Sequence, residues 1–396
     1  MNNNKILLSV SKFFISWRLA LFLIAFLAIY LITGFGGRFP YADRVLTVTG
    51  LPSWIWGFGN FDGVHYLRIA QNGYTADFSQ AFFPLYPHLI RIFNIFPKGN
   101  LNLNYYTDPS YFYTGMILSA IFFVAGLYFL IKLWTKEYDS KVAFISVLLL
   151  ITFPTSFYYG AIYSESLFLL LTVLTFWFVR KDKFLPAGIT AMLASATKVQ
   201  GVLLGLFLAI ELWQKYQGKL KIFTKSFWKD FIGVLISPLG LLGYMLYLYK
   251  TFADPVLFLT VQPAFGADRS SVPLVTLPQV IYRYIKMLLV VNPGSISFWN
   301  AALELSATLA VIAALIYTFK KIKFSYWIFV LTAIILPTMT GTFSSMPRYM
   351  LLAFPLLPVF VKKVPAGGKG WVYTIIAQVL LGIVLIALFT RGYWVA

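Results

Sequence analysis

An early stretch of the chain combines residue types that can move a proton. Asp62, His65 and Ile69 are spaced three and four residues apart, so they share one face if this stretch is helical. A carboxylate beside an imidazole can accept or relay a proton, and an aspartate near a hydroxyl group can take its proton as a new bond forms. Asp62 is therefore a candidate catalytic base. The alternative is that Asp62 caps a helix at a membrane surface, where His65 only anchors that helix near lipid headgroups.

The composition is that of a protein whose main solvent is the lipid bilayer. Hydrophobic residues make up 60% and charged residues 11% of the 396 positions, against roughly 45–50% and about 25% in soluble domains. Apolar runs recur from end to end, so we predict one integral membrane domain over residues 1–396. Cysteine is absent, which excludes disulfides, thiolate catalysis and cysteine-based metal sites.

The basic residues point to lipid rather than to nucleic acid. The net charge is +19, but lysine and arginine lie in short clusters between apolar runs, as orientation signals and contacts with anionic headgroups require. We therefore predict membrane lipids as partners and no nucleic acid.

The apolar runs predict an all-α polytopic fold with about ten to eleven transmembrane segments. The predicted spans are residues 19–35, 111–131, 142–162, 163–179, 231–249, 298–319, 324–341, 349–361 and 370–390. The basic clusters place the N-terminal residues Lys5, Lys12 and Arg18 in the cytoplasm. Because this start lacks a small-residue cleavage site, we predict that the first helix is retained.

Residues 184–212 lie between two basic clusters that both belong on the cytoplasmic side. Lys198 divides this stretch into 184–197 and 199–210, each about 20 Å long as a helix against a hydrocarbon core of about 30 Å. We predict a hairpin of short helices with Lys198 near its tip. Such a break requires protein or a water-filled cavity around it, so a cavity open to the outside is expected.

Two outer segments are predicted to lie along the membrane surface. Residues 36–110 are too polar to span throughout but rich in aromatic residues, which predicts a first extracytoplasmic loop with interfacial helices. Residues 280–291 carry Arg283 and Lys286 three positions apart, as in an interfacial amphipathic helix.

The surroundings of Asp62 form a wider motif, which comprises Asp62, His65, Tyr66, Ile69, Ala70, Gly73 and Tyr74, with residues 82–87 downstream. This motif resembles the first-loop signature of the PIG-V family of mannosyltransferases. Further matches are the stretches 163–166 and 196–201 and the late pair Arg348 and Tyr349. Two positions depart from the pattern. Phe61 stands where tryptophan is usual, and Lys198 stands where arginine is expected, which removes a bidentate phosphate fork.

The resemblance implies a GT-C-like glycosyltransferase with a polyprenyl-phosphate-linked sugar donor and a catalytic aspartate, Asp62, in its first outer loop. We predict the following substrate-binding positions: His65, Tyr66, Glu165, Lys198, Gln200, Arg348 and Tyr349.

The charged members of this set have alternative explanations. A charge within the membrane costs about 2.5–3.5 kcal/mol on insertion scales, so Lys198, Arg348 and Glu165 each need a partner or water. A lipid phosphate is one partner for the two cations, and a buried carboxylate is another. Glu165 can form a salt bridge with Lys198, or it can bind an acceptor or handle a second proton.

Five other aspartates show neither D-x-D spacing nor a cluster with histidine, and no nucleotide-binding glycine loop is present; these are Asp43, Asp77, Asp108, Asp254 and Asp268. No metal site and no cofactor are therefore predicted.

Together these features predict an inverting glycosyltransferase that moves a hexose, mannose by the resemblance, to a lipid or other membrane-associated acceptor at the extracytoplasmic face. A transporter or flippase for an anionic lipid or glycolipid is the alternative, because it too would use a basic cavity between broken helices. A noncatalytic scaffold is a third reading. The predicted location is a bacterial inner membrane, with the endoplasmic reticulum as the alternative.

Overall fold

The computed structural model describes residues 3–37, 42–95, 106–217, 224–267, 269–270, 275–363 and 368–395, and these residues form an all-helical structure. The α-helices are α1 (Asn3–Leu31), α2 (Ala42–Val45), α3 (Ser53–Trp56), α4 (Asp62–Asn72), α5 (Leu85–Ile92), α6 (Pro109–Glu137), α7 (Ser140–Ile151), α8 (Glu165–Val179), α9 (Phe184–Ser195), α10 (Leu203–Tyr216), α11 (Lys225–Ile236), α12 (Leu239–Phe252), α13 (Leu257–Thr260), α14 (Leu277–Val290), α15 (Ile296–Thr318), α16 (Phe324–Thr338), α17 (Met346–Tyr349), α18 (Leu357–Lys363) and α19 (Gly370–Thr390). Short 3-10 helices are Thr47–Thr49, Gly57–Gly59, Ser79–Ala81, Ser156–Gly160, Val199–Val202, Gln262–Phe265 and Met350–Leu356.

Four of the described helices, α1, α6, α15 and α19, are long and apolar enough to cross a bilayer, and the bent pair α11 and α12 brings the number to five. The chain is therefore a multi-pass membrane protein. The predicted ten to eleven spans are not reached by length alone, because several of the other apolar helices have only 10–17 residues.

The first helix is longer than predicted. The prediction of a span over 19–35 rested on Arg18 as a boundary, but α1 runs from Asn3 to Leu31 with Arg18 in its middle. The guanidinium donates through Nη1 to the Gly160 carbonyl at 2.7 Å and lies 4.3 Å from the Phe22 ring centre. These contacts satisfy a charge that would otherwise be costly inside a membrane.

Three predicted spans are interrupted at proline. The predicted span 142–162 is wrong in extent, since α7 ends at Ile151, just before Pro154. The predicted span 231–249 is two helices, α11 and α12, bent by 40° at Pro238. The predicted span 349–361 consists of α17, a 3-10 helix that contains Pro355, and α18. A proline nitrogen carries no hydrogen to donate, so it breaks the regular helical ladder.

The predicted break at Lys198 is present. Helix α9 ends at Ser195, Lys198 follows in an extended conformation, and the 3-10 helix Val199–Val202 leads into α10. A Cβ at Gly201 would lie 2.2 Å from the Ala194 carbonyl oxygen, so only glycine allows the chain to turn this closely on the end of α9.

Glycines also set the packing of α9 against α11. A Cβ at Gly188 would lie 2.1 Å from the carbonyl oxygen of Gly233, and a Cβ at Gly233 would lie 2.2 Å from that of Phe184. Small residues let membrane helices approach at backbone distance. The contact fixes α9, and hence the position of Lys198 beyond its end.

We expect Gly188→Ala to lower the free energy of unfolding by about 1–3 kcal/mol, since the added methyl group must displace the α11 backbone. Gly243→Ala is the matched control, because nothing lies within 4 Å of a Cβ there and alanine favours helix by up to about 1 kcal/mol. Thermal unfolding of both variants in detergent measures the difference. Equal midpoints would show that α9 and α11 do not pack through this glycine.

The predicted helix over residues 280–291 corresponds to α14, Leu277–Val290. Arg283 donates through Nη1 to the Gly341 carbonyl at 3.1 Å, whereas Leu289 and Val290 are 82% and 75% exposed. Its interfacial location stays a prediction. Short helices α2 to α5 lie within the predicted first loop, of which residues 38–41 and 96–105 fall outside the described ranges.

Candidate active site

The site begins at the first residue of α4. Asp62 follows Phe61, which has a φ of 59°, a region that few residues other than glycine adopt. The turn is held by Tyr163, whose hydroxyl donates to the Asn60 carbonyl at 2.9 Å and accepts from the Asp62 backbone N–H at 3.2 Å. Tyr163 is fully buried two residues before Glu165, so this contact joins the start of α4 to the start of α8.

Four charged side chains from four parts of the chain meet beside this turn. Arg348 Nη1 lies 2.6 Å from Asp62 Oδ2 and Arg348 Nε lies 3.6 Å from Glu165 Oε1. Lys198 Nζ lies 2.5 Å from the same Glu165 oxygen. The side chains are only 5–17% exposed. Two carboxylates and two cations alternate, so this charged cluster of Asp62, Arg348, Glu165 and Lys198 is formally neutral.

Aromatic rings surround the cations of the charged cluster. The Arg348 guanidinium carbon lies 5.3 Å, 5.5 Å and 5.8 Å from the ring centres of Tyr158, Tyr163 and Tyr349. Lys198 Nζ lies 5.8 Å from the Tyr349 ring centre. Ring faces attract cations electrostatically, so Tyr349 is placed where it orients both cations.

A narrow cleft opens next to the charged cluster. Its polar lining includes Glu165, Thr172, Lys198, Arg348 and Tyr349, and its apolar lining includes Phe168, Leu169, Leu351, Leu352 and Phe354. Within the described part of the chain, Glu165 Oε2 and Arg348 Nε are buried without a hydrogen-bond partner. Unsatisfied buried polar atoms are costly. With a volume of about 10 Å³, the cleft has room for roughly one water molecule, so it is suited to a small polar group. Asp62 does not line the cleft, but it contacts Arg348, which does.

The predicted residues Tyr66 and Gln200 are buried. Tyr66 is 5% exposed, its hydroxyl lies 3.0 Å from Ser164 Oγ, and its ring packs edge-on against Phe82 and Tyr86. Gln200 is 4% exposed in the 3-10 helix that follows Lys198. Contact of either side chain with substrate stays a prediction.

His65 is packed among aromatic rings. Its ring is stacked on Phe82 with a centre-to-centre distance of 4.6 Å, meets Phe265 edge-on at 5.9 Å, and is 4% exposed. Burial lowers the pKa of His65 to about 4, with a further lowering from Arg68 and an opposing effect of Asp62. The imidazole is therefore neutral at pH 7.

The depressed pKa of His65 predicts acid lability. Below pH 6.5, the usual pKa of histidine, His65 is protonated in the unfolded chain but stays neutral in the folded chain. The free energy of unfolding therefore falls as the pH drops toward the pKa of the folded state. Between pH 6.5 and 5 we expect a loss of roughly 2 kcal/mol from this residue. Thermal unfolding of the unmodified protein and of His65→Phe at both pH values measures it. His88→Gln, at the other histidine of the chain, is the control, and an equal pH effect in all three proteins would contradict the prediction.

Among the residues that the structure describes, no three histidine or acidic side chains are grouped closely enough to hold a metal ion.

Comparison with known proteins identifies the family. The sequence pattern of the mannosyltransferase (PIG-V) family matches residues 8–338, which is most of the chain. The chain belongs to the PIG-V mannosyltransferase family. This match supports a glycosyltransferase that uses a sugar donor and a membrane-associated acceptor. It includes Asp62, Glu165, Lys198 and Gln200 but ends before Arg348.

A relative of known activity is distant. GPI mannosyltransferase 2 of Drosophila pseudoobscura pseudoobscura is 28% identical over 135 residues, which cover 33% of this chain and 28% of that protein. The alignment thus covers less than a third of the relative. The PIG-V family assignment therefore rests on the longer family match.

Sequence reasoning did not assign a role to Tyr163, which joins the Asp62 turn to the start of α8. The signal was its position in the stretch 163–166, which matches the PIG-V pattern and carries Glu165.

Proposed function

We propose that this PIG-V family protein transfers mannose from a polyprenyl-phosphate-linked donor to a hydroxyl group of a lipid or glycolipid, with inversion at the sugar carbon. The observation that supports this most strongly is the charged cluster, in which Asp62 lies 2.6 Å from Arg348 and Arg348 lines a cleft together with Lys198. This arrangement supports a role for Asp62 as proton acceptor beside two cations that bind phosphate.

In the proposed reaction the acceptor oxygen attacks the anomeric carbon of the donor. The new carbon–oxygen bond forms as the bond between the anomeric carbon and the phosphate oxygen breaks. The electron pair of the breaking bond leaves with the polyprenyl phosphate. Asp62 takes the hydroxyl proton. A single displacement of this kind inverts the anomeric configuration.

Arg348 and Lys198 stabilise the leaving phosphate in this scheme. Fixed cations aimed at developing negative charge are effective because they need no reorganisation during the reaction. A guanidinium carries five N–H donors, so Arg348 can keep its contact with Asp62 and still bind phosphate. The isoprenoid chain would extend from the apolar side of the cleft once the surrounding helices have moved apart, because the cleft itself has room for roughly one water molecule.

The remaining predicted positions have supporting parts in this proposal. Glu165 holds Lys198 and Arg348 together in the absence of phosphate, and its second oxygen is available to an acceptor hydroxyl. Tyr349 orients the two cations. His65, Tyr66 and Gln200 shape the walls around them.

We place the reaction on the extracytoplasmic side of a bacterial inner membrane, or on the lumenal side of the endoplasmic reticulum. Both locations are supported by the clusters of lysine and arginine that orient the chain, and both supply membrane-associated acceptors. The GT-C architecture and a single domain over residues 1–396 belong to the same proposal.

Reconstitution in liposomes tests the proposal against the flippase alternative. Radiolabelled polyprenyl-phosphate mannose is supplied with membrane-lipid acceptors, and labelled product and free polyprenyl phosphate are measured together with the sidedness of the donor. A transferase yields both products in equal amounts. Movement of intact donor across the bilayer, without release of polyprenyl phosphate, would replace the transferase with a carrier.

A further inference from the structure

The turn that precedes Arg348 is stabilised by hydrogen bonds to Tyr284, a buried tyrosine on α14. The Tyr284 hydroxyl donates to Glu304 Oε2 at 2.5 Å, accepts from the Phe343 backbone N–H at 3.0 Å, and lies 2.9 Å from Thr342 Oγ1. A phenol has one proton and can accept two hydrogen bonds, so these three contacts saturate it. Tyr284 and Glu304 are 4% and 7% exposed.

Glu304 is connected to Arg348 through Tyr284 and the turn of residues 342–345. Tyr284 binds Phe343 and Thr342 in this turn, and Ser345 at its end has a φ of 68°, in the left-handed region that is unfavourable for residues other than glycine. The Ser345 carbonyl accepts from the Arg348 backbone N–H at 3.0 Å. Its Oγ lies 3.4 Å from Arg348 Nη2. The order of contacts is thus Glu304, Tyr284, the turn of residues 342–345, Arg348 and Asp62.

A carboxylate at the position of Glu304 is energetically unfavourable, which indicates a role other than helix packing. Glu304 lies within α15, one of the helices long enough to span the membrane, where a carboxylate costs about 2.5–3.5 kcal/mol on insertion scales. In the described ranges no lysine or arginine side chain forms an ion pair with it. Its carboxylate accepts from the Tyr284 hydroxyl, and Arg269 acts on it only through its charge. Packing of α15 alone would favour an apolar residue.

We propose that Glu304 and Tyr284 are positioning residues that fix Arg348 for the reaction. The inference rests on the proposed function, because it takes Arg348 as the cation of the leaving phosphate. Neither residue lines the cleft beside the charged cluster, so both act through the turn of residues 342–345. The turn before the strained Ser345 is held because the Tyr284 hydroxyl binds Phe343 and Thr342.

Kinetics of Glu304→Gln are the first test. The amide keeps the side-chain shape but replaces the charged acceptor of the Tyr284 hydroxyl with a neutral, weaker one, so Tyr284 and the turn that it binds are held less firmly. We expect kcat to fall about 10–100-fold with KM for the acceptor unchanged, since a displacement of about 1 Å can cost 10²-fold. Glu211→Gln is the control. Glu211 is also buried, but it pairs with Arg180 at 2.6 Å in a separate ion cluster, so its loss should lower stability and leave kcat near the unmodified value.

A double-mutant cycle separates positioning from general stability. In the Arg348→Lys background, addition of Glu304→Gln should change kcat by less than about threefold. The guanidinium that Glu304 orients is already absent from that background. An equal loss in both backgrounds would overturn the inference.

A measurement that needs no activity distinguishes this inference from the proposed function. The chain has no cysteine, so Ser344→Cys gives a single thiol in the turn. We expect maleimide to label it several-fold faster in the Glu304→Gln variant than in the parent or in Glu211→Gln. An unchanged labelling rate would overturn the inference. If the parent protein transfers no mannose and the Glu304→Gln variant is still labelled faster than the parent, the inference about the turn is supported and the proposed function is contradicted.

Discussion

Asp62→Asn should abolish most transfer while leaving donor binding intact. Asparagine has almost the same shape and keeps an oxygen that can accept from Arg348, but it cannot take a proton at neutral pH. General-base catalysis contributes about 10²–10⁴-fold, so we expect kcat to fall by that factor. Initial rates at saturating donor, together with a direct binding assay for the donor, measure the two effects separately.

Asp77→Asn is the control for Asp62, because it removes an exposed carboxylate from the same predicted loop. Its activity should match that of the unmodified protein. An Asp62→Asn variant with normal turnover would remove Asp62 from the role of base. Loss of donor binding in that variant would instead assign Asp62 to substrate binding.

Arg348→Gln should impair donor use and stability together. The guanidinium joins two carboxylates at 2.6 Å and 3.6 Å and is the predicted partner of the leaving phosphate. Loss of one such electrostatic contact costs about 10²–10³-fold in rate, and loss of one partner from a buried ion pair costs about 3–5 kcal/mol. Steady-state kinetics with varied donor and thermal unfolding in detergent measure both effects.

Two further variants interpret the Arg348 result. Arg348→Lys keeps the charge but loses the planar fork, so it should restore stability more fully than turnover. Arg91→Gln, which removes an exposed arginine on α5, should change neither. If Arg348→Gln keeps its donor affinity and kcat, the leaving phosphate is bound elsewhere.

Much of the site could be predicted because its residues violate the pattern around them. Asp62 stands in an aromatic loop, and Lys198, Glu165 and Arg348 are charges in apolar surroundings, so the sequence marks each one. Their mutual pairing could not be read from local spacing, since Arg348 and Asp62 are 286 positions apart. Glu304 carried the same kind of signal, a carboxylate inside the predicted span 298–319.

The errors in the fold have two physical causes. The cost of a charge in lipid predicts that a helix ends at Arg18, but a carbonyl oxygen and an aromatic ring satisfy this charge within α1. An uninterrupted apolar run predicts a single span, but Pro238 and Pro355 divide two such runs. Hydrophobicity reports where a segment lies, whereas helix continuity depends on backbone donors that proline lacks.

The charged cluster contains two carboxylates and two cations, and this balance of charge affects turnover. As proposed, the donor is a monoanionic phosphodiester, and the reaction converts it to a phosphomonoester whose second pKa is about 6. When Asp62 has taken the proton, the protein side carries one positive charge as the product becomes a dianion. The product is then held most strongly. Its departure follows when Asp62 gives the proton to water and the negative charge of its carboxylate returns, which makes proton exit the natural trigger of product release.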